Sequence, residues 1–292
     1  MHYKEPIGRR TFLVCNYIFL AIVAVICIMP MVHILAISLS SESAVRAGMV
    51  GIWPVGLTIS SYQFVISDAK FYTAFFITVK RCILGVIISM VLTLLAGYPL
   101  SKSARVFHAR QFYIWYFVIT MLFNGGLIPT YLVVNGTGLM DSIWALTLPI
   151  AVPVFNVILL QNFFKELPGE ISESAFIDGA GHWTVLFKIM TPLSKPVLAT
   201  LTLFVLVNHW NEWFHGMIYM NRPANYPLQT YLQTIVIDID MRLVDDISQL
   251  ENLCEKNSRS AQIFIAMLPI ICVYPFLQKY FTKGIVVGSV KG

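Results

Sequence analysis

Residues 208–213, Asn208-His209-Trp210-Asn211-Glu212-Trp213, set two amides, an imidazole and a carboxylate among indole rings inside a long apolar stretch. Amides and carboxylates bond sugar hydroxyls and indoles cover sugar faces, so these six residues form a candidate solute path. Polar groups in such surroundings are costly and need a reason. Asn208, Asn211 and His215 follow the i, i+3, i+7 spacing of one helical face, with His209 and Glu212 on an adjacent one. Two further readings are open. Trp and Tyr can form an interfacial belt while Asn and Glu bond neighbouring helices, or His209 and Glu212 can relay protons. Glu212 is the one carboxylate clearly inside an apolar run, and a solute, His209 or a residue of another subunit could partner it. No nucleophile, base and orienter can be assembled from spacing alone, so a membrane-embedded hydrolase is a weaker reading still.

A second polar stretch, ESAFIDGAGHWTVLFKIMTP (173–192), lies between two apolar runs. Pro168-Gly169 stops the run before it, and Ser172 is expected to cap a short helix with Glu173 at the positive end of its dipole. Asp178-Gly179 breaks that helix, since glycine takes the left-handed conformation readily, and a second segment runs to Pro192. Phe176, Ala180, Trp183, Phe187 and Met190 fall near one face. An amphipathic helix on a membrane surface accounts for that stripe. It does not account for the small residues Ser174, Ala175, Gly179, Ala180 and Gly181, which let another protein approach closely.

These residues must be positioned by apolar helices. The 292-residue chain is 57% hydrophobic and 12% charged, far from the roughly 25% charged residues of soluble proteins. Six runs are long enough to cross lipid, at about 12–37, 82–100, 112–134, 143–163, 196–220 and 263–281. Backbone groups cannot go unpaired in lipid, so the fold class is an all-α integral membrane protein with one transmembrane domain, 1–292. The first run exceeds the length of a signal-peptide core and reads as an uncleaved anchor. Loops sharing one side carry Lys4, Arg9, Arg10, Lys102, Arg105, Arg110, Lys165, Lys188, Lys195, Lys279, Lys283 and Lys291. The opposite loops carry few cations, so both termini are expected in the cytoplasm, with loop 165–195 inside and loop 221–261 outside. The net charge of +5 is thus topology and implies no nucleic acid.

Several features accompany these runs. Asn124-Gly125-Gly126-Leu127-Ile128-Pro129 interrupts the third run, and Pro149 and Pro153 interrupt the fourth. Residues 60–76 suit an interfacial helix. Lys80 and Arg81 then stand at the outer mouth of the second run, where snorkelling to headgroups is favoured over contact with an anionic solute. Cys15, Cys27, Cys82, Cys254 and Cys272 show no C-x-x-C pair, so neither zinc nor a disulfide framework is supported.

Glu173-Ser174-Ala175, Asp178-Gly179, Ile189 and Pro192 resemble the EAA loop of bacterial ABC importer permeases, with Ser174 for the middle alanine and Thr191 for leucine. NGGLIPTY (124–131), WNEW (210–213) and the ending 278–292 look like permeases of the carbohydrate-uptake group. Among these the chain is similar to oligosaccharide and polysaccharide importers, such as the alginate importer's permeases. The resemblance implies the type I importer fold in a bacterial cytoplasmic (inner) membrane. It also implies two ATPase subunits, a second and often non-identical permease, and an extracytoplasmic solute-binding protein. ATPase coupling would fall to Glu173, Ser174, Ala175, Asp178, Gly179 and Gly181, and the tail 283–292 could also reach the ATPases. The chain has no G-x-x-x-x-G-K-[ST] loop, so it needs no cofactor of its own, and ATP and Mg belong to the partner ATPase. The alternative is a proton-coupled secondary transporter of a small solute, relying on His209 and Glu212.

Overall fold

A computed structural model describes residues 7–242 and 254–289. The N-terminal Lys4, residues 243–253 of the expected outer loop, and Lys291 with the end of the tail lie outside the described residues. All regular structure among the described residues is helical. Helices α1 (Ile7–Ser38) and α4 (Ala69–Ser101) are each long and apolar enough to cross a membrane. Between them lie α2 (Glu42–Arg46) and α3 (Ser60–Ser67). The helix expected over 60–76 is broken at Asp68, whose Oδ1 accepts the Lys70 N–H at 3.0 Å and so caps the start of α4.

Three apolar runs are bent. α5 (Arg110–Leu122) and α6 (Leu127–Gly136) meet at 113°. The cause is local: Gly126 takes φ +89° and donates its N–H to Asn124 Oδ1 at 2.9 Å, turning the chain out of helical geometry. With 13 residues, α5 is about 20 Å long, short of a hydrocarbon core of roughly 30 Å. α7 (Ile143–Thr147) and its 3-10 extension (Leu148–Ile150) bend by 48° into α8 (Val154–Glu166) around Pro149 and Pro153. Loop 165–195 folds as α9 (Gly169–Ile177), α10 (His182–Thr184), a π-helical turn (Val185–Met190) and α11 (Thr191–Leu193). The chain then turns by 85° into α12 (Lys195–Asn211), followed by the short α13 (Phe214–Tyr219). Among the described residues of 221–261, helix outweighs loop: α14 (Leu228–Arg242) and the start of α15 (Cys254–Ser289).

The chain divides into two compact units, 1–71 with 235–268 and 72–234 with 269–292. In the first, Asn257 Nδ2 donates to the Ser40 carbonyl at 2.7 Å, and the Ser38 and Tyr62 hydroxyls bond at 2.8 Å. In the second, one apolar cluster joins Tyr98, Leu160, Phe164, Ala175, Val185, Leu186, Met190, Val197 and Leu201. Another joins Val134, Ala145 and Leu146 to Tyr219 and Met220.

Beside that second cluster, Asp141 sits at φ 57°, a left-handed conformation that Asp tolerates better than most residues. Its Oδ1 accepts the Asn225 side-chain N–H at 2.9 Å and the Asn221 and Arg222 backbone N–H groups at 3.2 and 3.4 Å. The Asn225 bond foremost, then those N–H groups and the Arg222 guanidinium, hold the Asp141 carboxyl below the ordinary carboxylate value. A depressed carboxylate stabilises the fold above its unfolded pKa, and that contribution is lost as pH falls through the folded value. Asp141→Asn is therefore expected to lower stability at neutral pH by up to about 1 kcal/mol. Detergent-phase melting curves should show the gap to the parent protein closing in acid; a gap that stays constant with pH would refute this role for the charge.

Candidate functional site

Two regions of the second unit gather the polar residues. The first is α9 together with the segment that leads from it to α12. The helix starts at Gly169, with Pro168 as its N-cap residue, so Ser172 is not the cap: it is buried, its hydroxyl 3.7 Å from Met190 Sδ. The stop at Gly179 forms where the sequence places it. Gly179 has φ +83°, its N–H donates to Phe176 O at 3.1 Å, and the Ala180 N–H reaches back to Ala175 O at 2.9 Å. These two bonds are the Schellman pattern that satisfies the last carbonyls of a helix. Pro192 cannot donate an N–H and its ring crowds the carbonyl four residues back. The preceding turn is accordingly widened to π geometry, and the Thr191 hydroxyl bonds the Leu186 carbonyl at 2.8 Å.

The small residues divide between two surfaces. Ala175 is buried in the chain's own core with Val185, Leu186 and Met190, so its methyl offers no approach to a second protein. Glu173, Ser174, Asp178, Gly179 and Gly181 are exposed. A Cβ at Gly179 or Gly181 would meet nothing within 4 Å, which leaves open space at both. The expected apolar face divides too: Met190 turns inward, whereas Phe176, Trp183 and Phe187 are exposed, with Trp183 stacked on Phe187 at 5.9 Å. Ile177, 86% exposed, adds to this apolar rim. His182 Nδ1 lies 3.1 Å from the Tyr98 hydroxyl, tying the rim to the end of α4. Lys102 Nζ sits 4.5 Å over the Tyr98 ring, and burial holds its pKa below the ordinary lysine value.

The second region is the break between α12 and α13. Arg81 is fully buried and does not snorkel. Its Nη1 donates to the Glu212 carbonyl at 2.8 Å and its Nη2 to Glu212 Oε2 at 2.7 Å. Glu212 Oε1 accepts the His215 N–H at 2.8 Å, and His215 Nδ1 lies 3.4 Å from Oε2. One guanidinium thus satisfies a carbonyl freed by the break together with the carboxylate beside it. The Thr230 hydroxyl donates to the Trp213 carbonyl at 2.7 Å within the same break, and Thr78 Oγ1 accepts the Leu228 N–H at 2.7 Å, which ties α4 to the start of α14.

The six residues 208–213 therefore do not act as one surface. Trp210 is buried edge-on to Phe75, and Glu212 is held by Arg81 and His215. His209 is also buried, packed so tightly on α4 that a Cβ at Gly85 would lie 2.2 Å from its Nε2. Asn208, Asn211 and Trp213 remain exposed. Sequence reading placed Arg81 at the outer mouth of the second run but missed Gly85, Ser89 and Thr93, which continue from it at four-residue spacing as a buried small and polar stripe along α4. That spacing, continued by Gly97 against Leu160, was the available signal, because small residues in membrane helices mark close approaches.

Comparisons place this geometry among known proteins. A family model described as "Binding-protein-dependent transport system inner membrane component" matches residues 2–287. The protein LplC of Bacillus subtilis is 41% identical over 97% of this chain and 96% of its own length. The polygalacturonan/rhamnogalacturonan transport system permease protein YtcP of the same organism is 38% identical over 97% of this chain and 99% of its own. A chain in the crystal structure of a bacterial ABC transporter involved in the import of the acidic polysaccharide alginate superposes with a TM-score of 0.86 at 31% identity, covering 96% of this chain and 99% of that one.

The buried pair generates a direct test. Arg81→Leu alone strands a carbonyl and a carboxylate, and is expected to cost about 3–5 kcal/mol. Adding Glu212→Leu should recover much of that loss in detergent-phase melting. A double variant no more stable than the single would show that the pair is not what holds the break.

Proposed function

Because the chain belongs to the family of binding-protein-dependent transport system inner membrane components, a family of non-catalytic permease subunits, we propose that it forms one side of a membrane pathway for an oligosaccharide or polysaccharide fragment. Relatives named for polygalacturonan, arabinooligosaccharide and maltodextrin transport support a saccharide cargo, as does the likeness to the alginate importer. We place six spans in the inner membrane with both termini in the cytoplasm. A solute-binding protein delivers the cargo from outside, and a second, non-identical permease completes the pathway. ATP and Mg are bound by two separate ATPase subunits.

The observation that carries the coupling mechanism is the Schellman stop at Gly179 with an exposed rim around it. Glu173, Ser174, Asp178, Gly179 and Gly181 offer charge and open space, and Ile177, Trp183 and Phe187 offer apolar contact. Ala175 supports this rim from beneath by fixing α9 to the core. An ATPase gripping the rim can bias two packings of the permease, inward-open and outward-open, through their differential contacts. The proton-relay alternative loses its basis here, since the Glu212 carboxylate is held by Arg81 and His215.

Gly179→Asp and Glu173→Lys should leave the protein in the membrane but lower ATP-driven uptake about tenfold, the equivalent of roughly 1.4 kcal/mol of coupling. Reconstituted vesicles containing the full complex provide the measurement. Import unchanged in both variants would remove the coupling assignment.

A further inference from the structure

Within the second unit, α4, the bend between α7 and α8, and α12 enclose a cavity of about 200 Å³. Its polar lining consists of Ser89, Asn156, Asn208 and His209, and its apolar lining includes Phe155 and Phe204. No charged side chain lines it. Ser89 and His209 are 0% and 2% exposed, and neither the Ser89 hydroxyl nor His209 Nδ1 has a hydrogen-bond partner in the protein. Buried polar groups are nearly always paired, so each such atom calls for an explanation. Asn156 makes one long contact, 3.5 Å to the Leu201 carbonyl. Asn208, Phe155 and Phe204 are exposed, so the cavity has a mouth, and the two phenyl rings lie 6.4 Å apart there.

We propose that this cavity is a subsite for one sugar ring of the transported chain, recognised through its neutral hydroxyls. The proposal rests on the saccharide-import reading above. Hydroxyl and imidazole groups on the floor match the donors and acceptors of a pyranose edge, and the phenyl rings at the mouth match its apolar face. The volume is below the roughly 300–1,000 Å³ of pockets that enclose drug-sized ligands, so the site takes a single ring and not a longer segment. A lipid tail would leave the polar floor unpaired. The nearby cation, Arg81, is bonded to Glu212, so the cavity reads hydroxyls and leaves any carboxylate of the cargo to other groups. Gly85 sets the depth of the floor, because any larger residue would displace the His209 ring.

The test uses the assembled transporter with its binding protein in liposomes, and radiolabelled galacturonate and mannuronate trisaccharides as probes. Ser89→Ala, which removes only a hydroxyl, Ser89→Val, which fills the floor, and Asn208→Leu should each lower probe uptake about fivefold or more. Co-purification with the ATPase reports that each variant still assembles. In a background lacking the five native cysteines, Asn208→Cys should react with a maleimide more slowly while probe and ATP are turning over. Uptake of neither probe by the unaltered protein would overturn the import reading and the subsite with it. Uptake by the unaltered protein that matches all three variants, with no protection of the cysteine, would overturn the subsite alone.

Discussion

A carboxylate and a guanidinium in an apolar interior cannot stand apart. The two-point contact of Arg81 with the side chain and carbonyl of Glu212 is the constraint on which the α12–α13 break depends. Desolvating each charge costs several kcal/mol, so the pair holds only because both groups find further partners. The His215 N–H satisfies the remaining oxygen of the carboxylate. The break itself supplies the carbonyl that occupies the second guanidinium nitrogen. Charge pairing and helix interruption are therefore one feature, and the neighbouring side chains, from Trp210 against Phe75 to His209 against Gly85, are packed around it.

Much of the loop 165–195 was legible because its determinants are local. A left-handed glycine ends a helix wherever it occurs, and Gly179 does so with the two expected bonds. The start of that helix lies four residues earlier than expected, since a serine ahead of a glutamate looks like a cap whether or not the chain is already helical. Apolar periodicity assigned Met190 and Trp183 to one face, but the π turn between them changes the angle per residue and sends one inward and the other outward.

The intramembrane region was harder to read. Arg81 and Glu212 are separated by 131 positions, and no local pattern joins them. Hydropathy averaging hides single polar residues, so Gly85, Ser89 and Thr93 vanished into an apolar run although their spacing from Arg81 was visible. Proline and glycine announced where the third and fourth runs break, yet the angles of 113° and 48° follow from backbone dihedrals and local hydrogen bonds, such as those at Gly126, that composition does not encode.

The core cluster beneath α9 has a mechanical consequence. Ala175, Val185, Leu186 and Met190 share one buried cluster with Tyr98, Leu160 and Phe164, and protein interiors resist compression. A load applied at Ile177, on the helix that Ala175 fixes to this cluster, would reach α4 and α8 through it. A displacement passed on in this way would meet the 85° turn into α12 as a crank meets its elbow.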